Sequence, residues 1–100
     1  MANSLLQKSI RRGEVEVAQR AALTFLAKGS AIWRRIIIIA FEDIGAGSAD
    51  VVAMAVAGST DVKWRKQSGG DMVVAAHLAR LLAEAVFHAT GKRIRSLLAL

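Results

Sequence analysis

No proline interrupts the 100 residues of this chain, and its eight glycines fall between apolar blocks of helical length. A chain punctuated by glycine alone has nothing that forces an extended segment, and each glycine offers the left-handed turn that ends a helix. Six helices follow. The first spans Ser4 to Arg12, with Asn3 as its cap, Leu5, Leu6, Ser9 and Ile10 facing inward, and Gly13 as the stop. The second spans Glu14 to Lys28, with acids in its first turn and Lys28 in its last, and Val15, Ala18, Ala22, Phe25 and Leu26 as the buried stripe. These two pack as an antiparallel hairpin.

Ser30 caps a third helix, from Ala31 to Ile44. Its run of isoleucines, Ile36 to Ile39, is β-branched and would suit a buried strand, but length decides for helix. Ile32, Trp33, Ala40, Phe41 and Ile44 continue the apolar face on both sides, and the whole segment exceeds a normal strand. A helix apolar on nearly every side is interior or covered by another subunit, so Ile38 and Ile39 are candidate oligomer-interface residues. Ser48 caps a short fourth helix, Asp50 to Ala57. Gly58 to Gly70 is polar and basic apart from Val62 and Trp64, and reads as a loop with one turn at its centre. Asp71 caps the longest helix, ending near Thr90, on which His77, Arg80, Glu84 and His88 form one solvated stripe. The tail from Lys92 to Leu100 is a basic, amphipathic final turn or two. With no repeat, linker or low-complexity stretch, residues 1–100 make one all-α domain, a compact bundle of five to six helices.

A 100-residue domain buries roughly 60–68% of the surface its unfolded chain exposes, enough for one core. Hydrophobic residues make up 54% of the chain, more than that core needs, which leaves apolar surface for a partner. The net charge of +6 gathers in clusters: Lys8 with Arg11 and Arg12, Arg34 with Arg35, Lys63 with Arg65 and Lys66, and Lys92 with Arg93 and Arg95. Polyanions or acidic protein surfaces are the natural partners of such a field. Trp64, set between Lys63 and Arg65, adds an aromatic that can stack on a base. The segment Lys63, Trp64, Arg65, Lys66 and the tail cations Lys92, Arg93, Arg95 are therefore the candidate nucleic-acid contacts. There is no cysteine, no signal pattern, and no apolar run long and uninterrupted enough to span a bilayer, so the expected compartment is the cytoplasm, with no membrane partner.

Catalytic chemistry finds little support in these residues. The isoleucine run followed by Glu42 and Asp43 superficially matches the strand and acids that hold magnesium in P-loop ATPases. The acids come two residues late in reverse order, however, and no G-x-x-x-x-G-K-[ST] exists. His77 and His88 lie roughly 16 Å apart along a helix and cannot share a metal; Glu84 with His88 could, but no third ligand accompanies them. The chain reads as a non-enzyme with no cofactor and no metal. Glu42 and Asp43 stand at a helix C-terminus, where negative charge costs about 0.3–1 kcal/mol each. Arg34 and Arg35 are about 12 Å away along the axis. The offsetting cations are therefore expected from elsewhere, Arg11 and Arg12 first, as an ion-pair cluster fixing this helix end to the first hairpin.

The third helix, Trp33-Arg34-Arg35 through the isoleucines to Ala40-Phe41-Glu42-Asp43-Ile44-Gly45, resembles a signature in the C-terminal helical region of the replication-associated recombination AAA+ ATPases. That family includes bacterial RarA, also called MgsA, and the eukaryotic Werner-helicase-interacting protein, and its region is related to the collar domain of clamp-loader subunits. Lys8-Ser9-Ile10-Arg11 is similar to the Lys-Ser-Ile/Val-Arg that the family carries at the same distance upstream. The match covers Ser4 to Gly45; beyond it only the helical rhythm agrees. Ile38 and Phe41 replace residues that are often polar in the family, and Ala46-Gly47-Ser48-Ala49-Asp50 replaces its Leu-Ala-Asp-Pro. The resemblance implies a clamp-loader-collar-like fold and a homo-oligomer that works with an AAA+ ATPase module in the same or another chain, on DNA. By the same resemblance Lys8, Ser9, Arg11, Arg34, Arg35, Glu42, Asp43 and Gly45 shape the collar and its contacts without being catalytic.

Overall fold

Alanines and aliphatics recur every three to four residues from Val74 to Ala83, so a helix here is buried on one broad side and attracts the others around it. In the computed structural model, which describes residues 2–98 and the side chains of all of these except 2–4, 46 and 92–97, that helix is the axis of the molecule. The elements run α1 (Ala2–Arg11), α2 (Val15–Leu26), α3 (Ala31–Ile39), a π-turn (Ala40–Ile44), a 3-10 turn (Gly45–Ser48), α4 (Ala49–Thr60), α5 (Val62–Gln67) and α6 (Asp71–Leu98). No strand occurs among the described residues, so the fold is an all-α bundle of six helices.

The 28 residues of α6 span about 42 Å at helical rise, which accounts for most of the 47 Å long axis of the molecule. Helix α2 lies along α6, tied by a hydrogen bond from Gln19 Nε2 to the Ala76 carbonyl (3.2 Å), and α1 folds back on α2 as the expected hairpin. Leu6, Ile10, Ile32, Ile36, Ile39, Val74, Leu78 and Leu82 are the largest fully buried side chains. At roughly 1.5–3 kcal/mol each, their burial is the main force closing the bundle.

Gly13 makes the turn between α1 and α2 with φ +68°, and its missing side chain is needed twice: a Cβ there would lie 2.9 Å from Phe87 Cβ on α6. The hairpin turn thus rests on the central helix. Ser9 is buried, its hydroxyl donating to the Leu5 and Leu6 carbonyls (2.8 and 3.0 Å), while Leu5 is half exposed rather than inward.

Several expectations need correction. Asn3 lies within α1 and not ahead of it. Ser30 and Ser48 precede their helices but make no side-chain cap bond. The third helix stops being α-helical at Ile39 and widens into a π-turn, and the polar stretch after Gly58 is helical, since α4 continues to Thr60 and α5 follows after one residue. The final helix does not stop at Thr90 but continues through Gly91 to Leu98. Its segment Asp71–Gly91, with a mean hydropathy of 1.4, is long and apolar enough to cross a membrane by length and composition. The four polar residues spaced along it do not outweigh its aliphatics. In the bundle its apolar side packs on α1, α2 and α4.

Candidate functional site

The residues singled out in the sequence gather in two regions. The first is the junction of α1 with the π-turn. A π-turn closes i→i+5 bonds in place of i→i+4, and here the Gly45 N–H reaches the Ala40 carbonyl. The widened turn places Glu42 and Asp43 against α1. Arg11 Nε donates to Asp43 Oδ1 at 3.0 Å, and Gln7 Nε2 donates to Glu42 Oε2 at 3.0 Å and to Asp43 Oδ2 at 3.5 Å. The acids at this helix end are therefore held by α1, as their charge required, with Gln7 as a partner that a search for cations alone does not find. Arg12 takes no part; it pairs loosely with Glu14 at 3.9 Å.

Gly45 ends the turn at φ +55°, ψ −141°, a conformation open to glycine and costly for any residue with a Cβ. Lys8 and Arg34 are exposed and Arg35 half-buried. Ile39 is completely enclosed within the chain and cannot also face another subunit, and Ile38 is only half-buried. The large open apolar side chain of this region is Phe41, 61% exposed on the π-turn. Its place became legible only once the turn had departed from α-helical spacing.

The second region is the corner made by the end of α4, all of α5 and the start of α6. Asp61 caps α5, accepting from the Trp64 N–H at 2.9 Å. Arg65 does not reach toward solvent. It is 6% exposed, Nε donates to Asp71 Oδ1 (2.9 Å), Nη1 donates to the Gly58 and Ser59 carbonyls (3.0 Å each), and the guanidinium lies 4.1 Å over the Trp33 ring.

Those two carbonyls belong to the last turn of α4, whose C-terminal acceptors have no partner within the helix. Arg65 therefore closes α4 as a cationic cap at the negative end of its dipole, and joins it to α3 and α6 through Trp33 and Asp71. Trp33 is in the core, as its place on the apolar face of its helix predicts. Asp71, expected as the cap of α6, instead spends its carboxylate on Arg65.

The other half of the corner stays open. Trp64 packs its ring close to Gly58, where a Cβ would lie 3.2 Å from Trp64 Cζ3. It is half-buried rather than free to stack. Lys63 and Lys66 are exposed and form no ion pair among the described residues. Of the expected nucleic-acid contacts on α5, Arg65 is thus removed, Trp64 is committed to the fold and the two lysines remain. The side chains of Lys92, Arg93 and Arg95 lie outside the described residues.

On α6, Arg80 links the polar stripe: Nη1 donates to Glu84 Oε1 (3.2 Å) and Nη2 donates to His77 Nδ1 (2.9 Å). Glu84 and His88 also line a cleft of about 310 Å³ with Ser48, Asp50 and Val51 of the α4 entry. No group of three His, Asp or Glu residues able to hold a metal occurs among the described residues.

Comparison with protein-family models, curated proteins and solved structures finds no match for the chain.

Proposed function

We propose that this chain is a non-catalytic helical oligomerisation or scaffold module of a DNA replication and repair AAA+ ATPase system, resembling the collar region of the RarA and MgsA family and acting in the cytoplasm. The observation that carries the reading is the contact between Arg11 and Asp43. Arg11 ends the Lys8-Ser9-Ile10-Arg11 segment and Asp43 belongs to the Glu42-Asp43-Ile44-Gly45 segment, and these two motifs are the ones that carry the resemblance. They lie 32 residues apart in sequence and meet at 3.0 Å in the fold. A pair of signatures that form one structural joint is what a common architecture requires of them.

In this reading the AAA+ module is supplied by the same or another chain, and the bundle holds subunits together so that the motor is placed on DNA. Self-assembly uses the π-turn, where Phe41 stands open beside half-buried Ile38. An exposed aromatic beside a fixed backbone is the kind of anchor that interfaces concentrate on. Light scattering across a concentration series is expected to give a mass above the 10.7 kDa of one chain, and Phe41→Ser is expected to return it to that value. A mass that stays at one chain at every concentration overturns the reading.

A further inference from the structure

The outer side of α3 and the π-turn carries charge of opposite sign at its two ends. Ile32, Trp33, Ile36, Ile39 and Ala40 are buried, so the arc left facing outward is Ala31, Arg34, Ile38, Phe41 and Glu42, at steps of three and four. Arg34, Phe41 and Glu42 are exposed, Ile38 is half-buried, and half-buried Arg35 flanks them. Arg34 and Arg35 form no ion pair among the described residues. Neither does Glu42, whose carboxylate accepts from the neutral amide of Gln7, whereas Asp43 is matched by Arg11. Lys8, the remaining cation of that part of α1, points about 100° around its helix from Gln7. The face therefore begins with two unmatched cations, ends with an unmatched carboxylate, and is apolar between them.

We propose that two copies of this chain pair through this face about a two-fold axis at Ile38, with their α3 helices antiparallel. Spacing sets the register. Arg34 and Glu42 each stand four residues from Ile38, and Arg35 and Phe41 each stand three. Reversing one copy end to end brings Arg34 opposite the partner's Glu42, Arg35 opposite the partner's Phe41, and Ile38 onto its own counterpart. Both charge matches occur twice, because a two-fold contact repeats every pair. Arginine over an aromatic face adds a cation–π contact to each half, and the small residues Ala31 and Gly45 meet at the ends. The result is an apolar centre with a charged rim. Mixed charge selects this partner over others: a polyanion is repelled by Glu42, and an acidic protein leaves that carboxylate unmatched. The net charge of +6 on each copy opposes association at long range, but counterions screen it beyond about 8 Å at physiological ionic strength, and the matched charges meet inside that distance. The pairing rests on the oligomerisation reading and gives it a symmetry and a register.

The test is charge exchange on the full chain, read by sedimentation equilibrium at physiological salt, with circular dichroism to verify that each variant keeps its helix content. The unaltered chain is expected to sediment as a pair or a multiple of one. Arg34→Glu sets two acids against each other at both ends of the contact, and Glu42→Arg sets two cations, so each alone is expected to weaken association at least about tenfold. Both substitutions in one chain are expected to restore it. So is an equimolar mixture of the two single variants, in which each copy supplies the charge that the other needs at both ends. A folding defect cannot produce that rescue, and neither can a parallel arrangement, which would set Arg34 against Arg34 and be relieved in a mixture with the unaltered chain. An associating chain whose single variants bind as tightly as the original, or whose mixture binds no tighter than its components, overturns the two-fold pairing and leaves oligomerisation standing. A chain that stays single at every concentration overturns both.

Discussion

Two arginine–aspartate pairs hold this molecule, and they are built in opposite senses. At the π-turn, the side chain of Arg11 is 56% exposed and Asp43 only 12%; at the α5 corner, Arg65 is 7% exposed and Asp71 49%. The lengths are nearly equal, 3.0 and 2.9 Å. Their contributions are not. An arginine with its head in water satisfies most of its donors there and gives its partner a screened charge. A buried arginine must place its donors on protein acceptors, and Arg65 does so on one carboxylate and two helix-end carbonyls, with its plane on Trp33. Pair distance says little about weight; the surroundings of the cation decide it.

The largest effect is therefore expected from Arg65→Ala. Its loss leaves the Gly58 and Ser59 carbonyls buried without a donor and opens a gap over Trp33, together about 3–5 kcal/mol. In a domain of this size the melting temperature falls by roughly 4–8 °C per kcal/mol, and a protein of ordinary stability is brought close to unfolding. Arg65→Lys is expected to recover only part of this, since an ammonium neither forks between the carbonyls and Asp71 nor stacks on the indole. Asp71→Asn, at the exposed end of the same pair, should cost far less. Equal losses at Arg65 and Asp71 would break the contrast drawn between the two pairs.

The next effect belongs to the other region and to its backbone. Gly45→Ala forces a Cβ onto φ +55°, ψ −141°, at about 1–3 kcal/mol, although no atom lies within 4 Å to clash with it. Gly47→Ala, two residues on, has equal space and no positive φ, and is expected to be neutral or slightly stabilising. Thermal melts of the two variants separate strain from crowding. If both fell alike, the π-turn would be sensitive to bulk rather than to backbone conformation.

What the sequence allowed to be read follows the same division. Glycine punctuation and apolar periodicity locate α1 to α4 and α6 but read α5 as a loop, and the cost of two acids at a helix end points to α1 before any coordinate is known. Arg65 resists such reading, because its acceptors are main-chain carbonyls six and seven residues back and an indole ring on another helix. Periodicity reports side-chain polarity, and by polarity alone an arginine between lysines belongs in water. Ile39 fails in reverse: a helix apolar on nearly every side left it a candidate to face another subunit, whereas the bundle itself covers it and the chain departs from α-helical spacing directly after it. One extra residue in a turn leaves no trace in composition.

A smaller effect is expected from the exposed pair. In a double-mutant cycle of Arg11→Ala and Asp43→Asn, the coupling should be within about 1 kcal/mol and shrink as salt is raised. Glu42→Gln should change little beyond this, because Gln7 can donate to an amide oxygen as it does to the carboxylate. A coupling several times larger, insensitive to salt, would mean that the partly covered Asp43 carboxylate governs the joint and that exposure of the arginine does not limit it.

The smallest effect is expected where the sequence placed the most charge. Lys63→Ala and Lys66→Ala remove two cations from the same short helix as Arg65, and both should leave the melting temperature within the equivalent of about 0.5 kcal/mol. Neither lysine touches an acceptor among the described residues, so nothing in the fold depends on them. A hexapeptide, Val62–Gln67, that keeps one cation buried as a structural cap and two outside without partners divides its charge between holding and meeting. Stability unmoved by the lysines and broken by the arginine would establish that division. A large loss from either lysine would instead make the whole basic segment part of the scaffold and leave its surface without a free charge to offer.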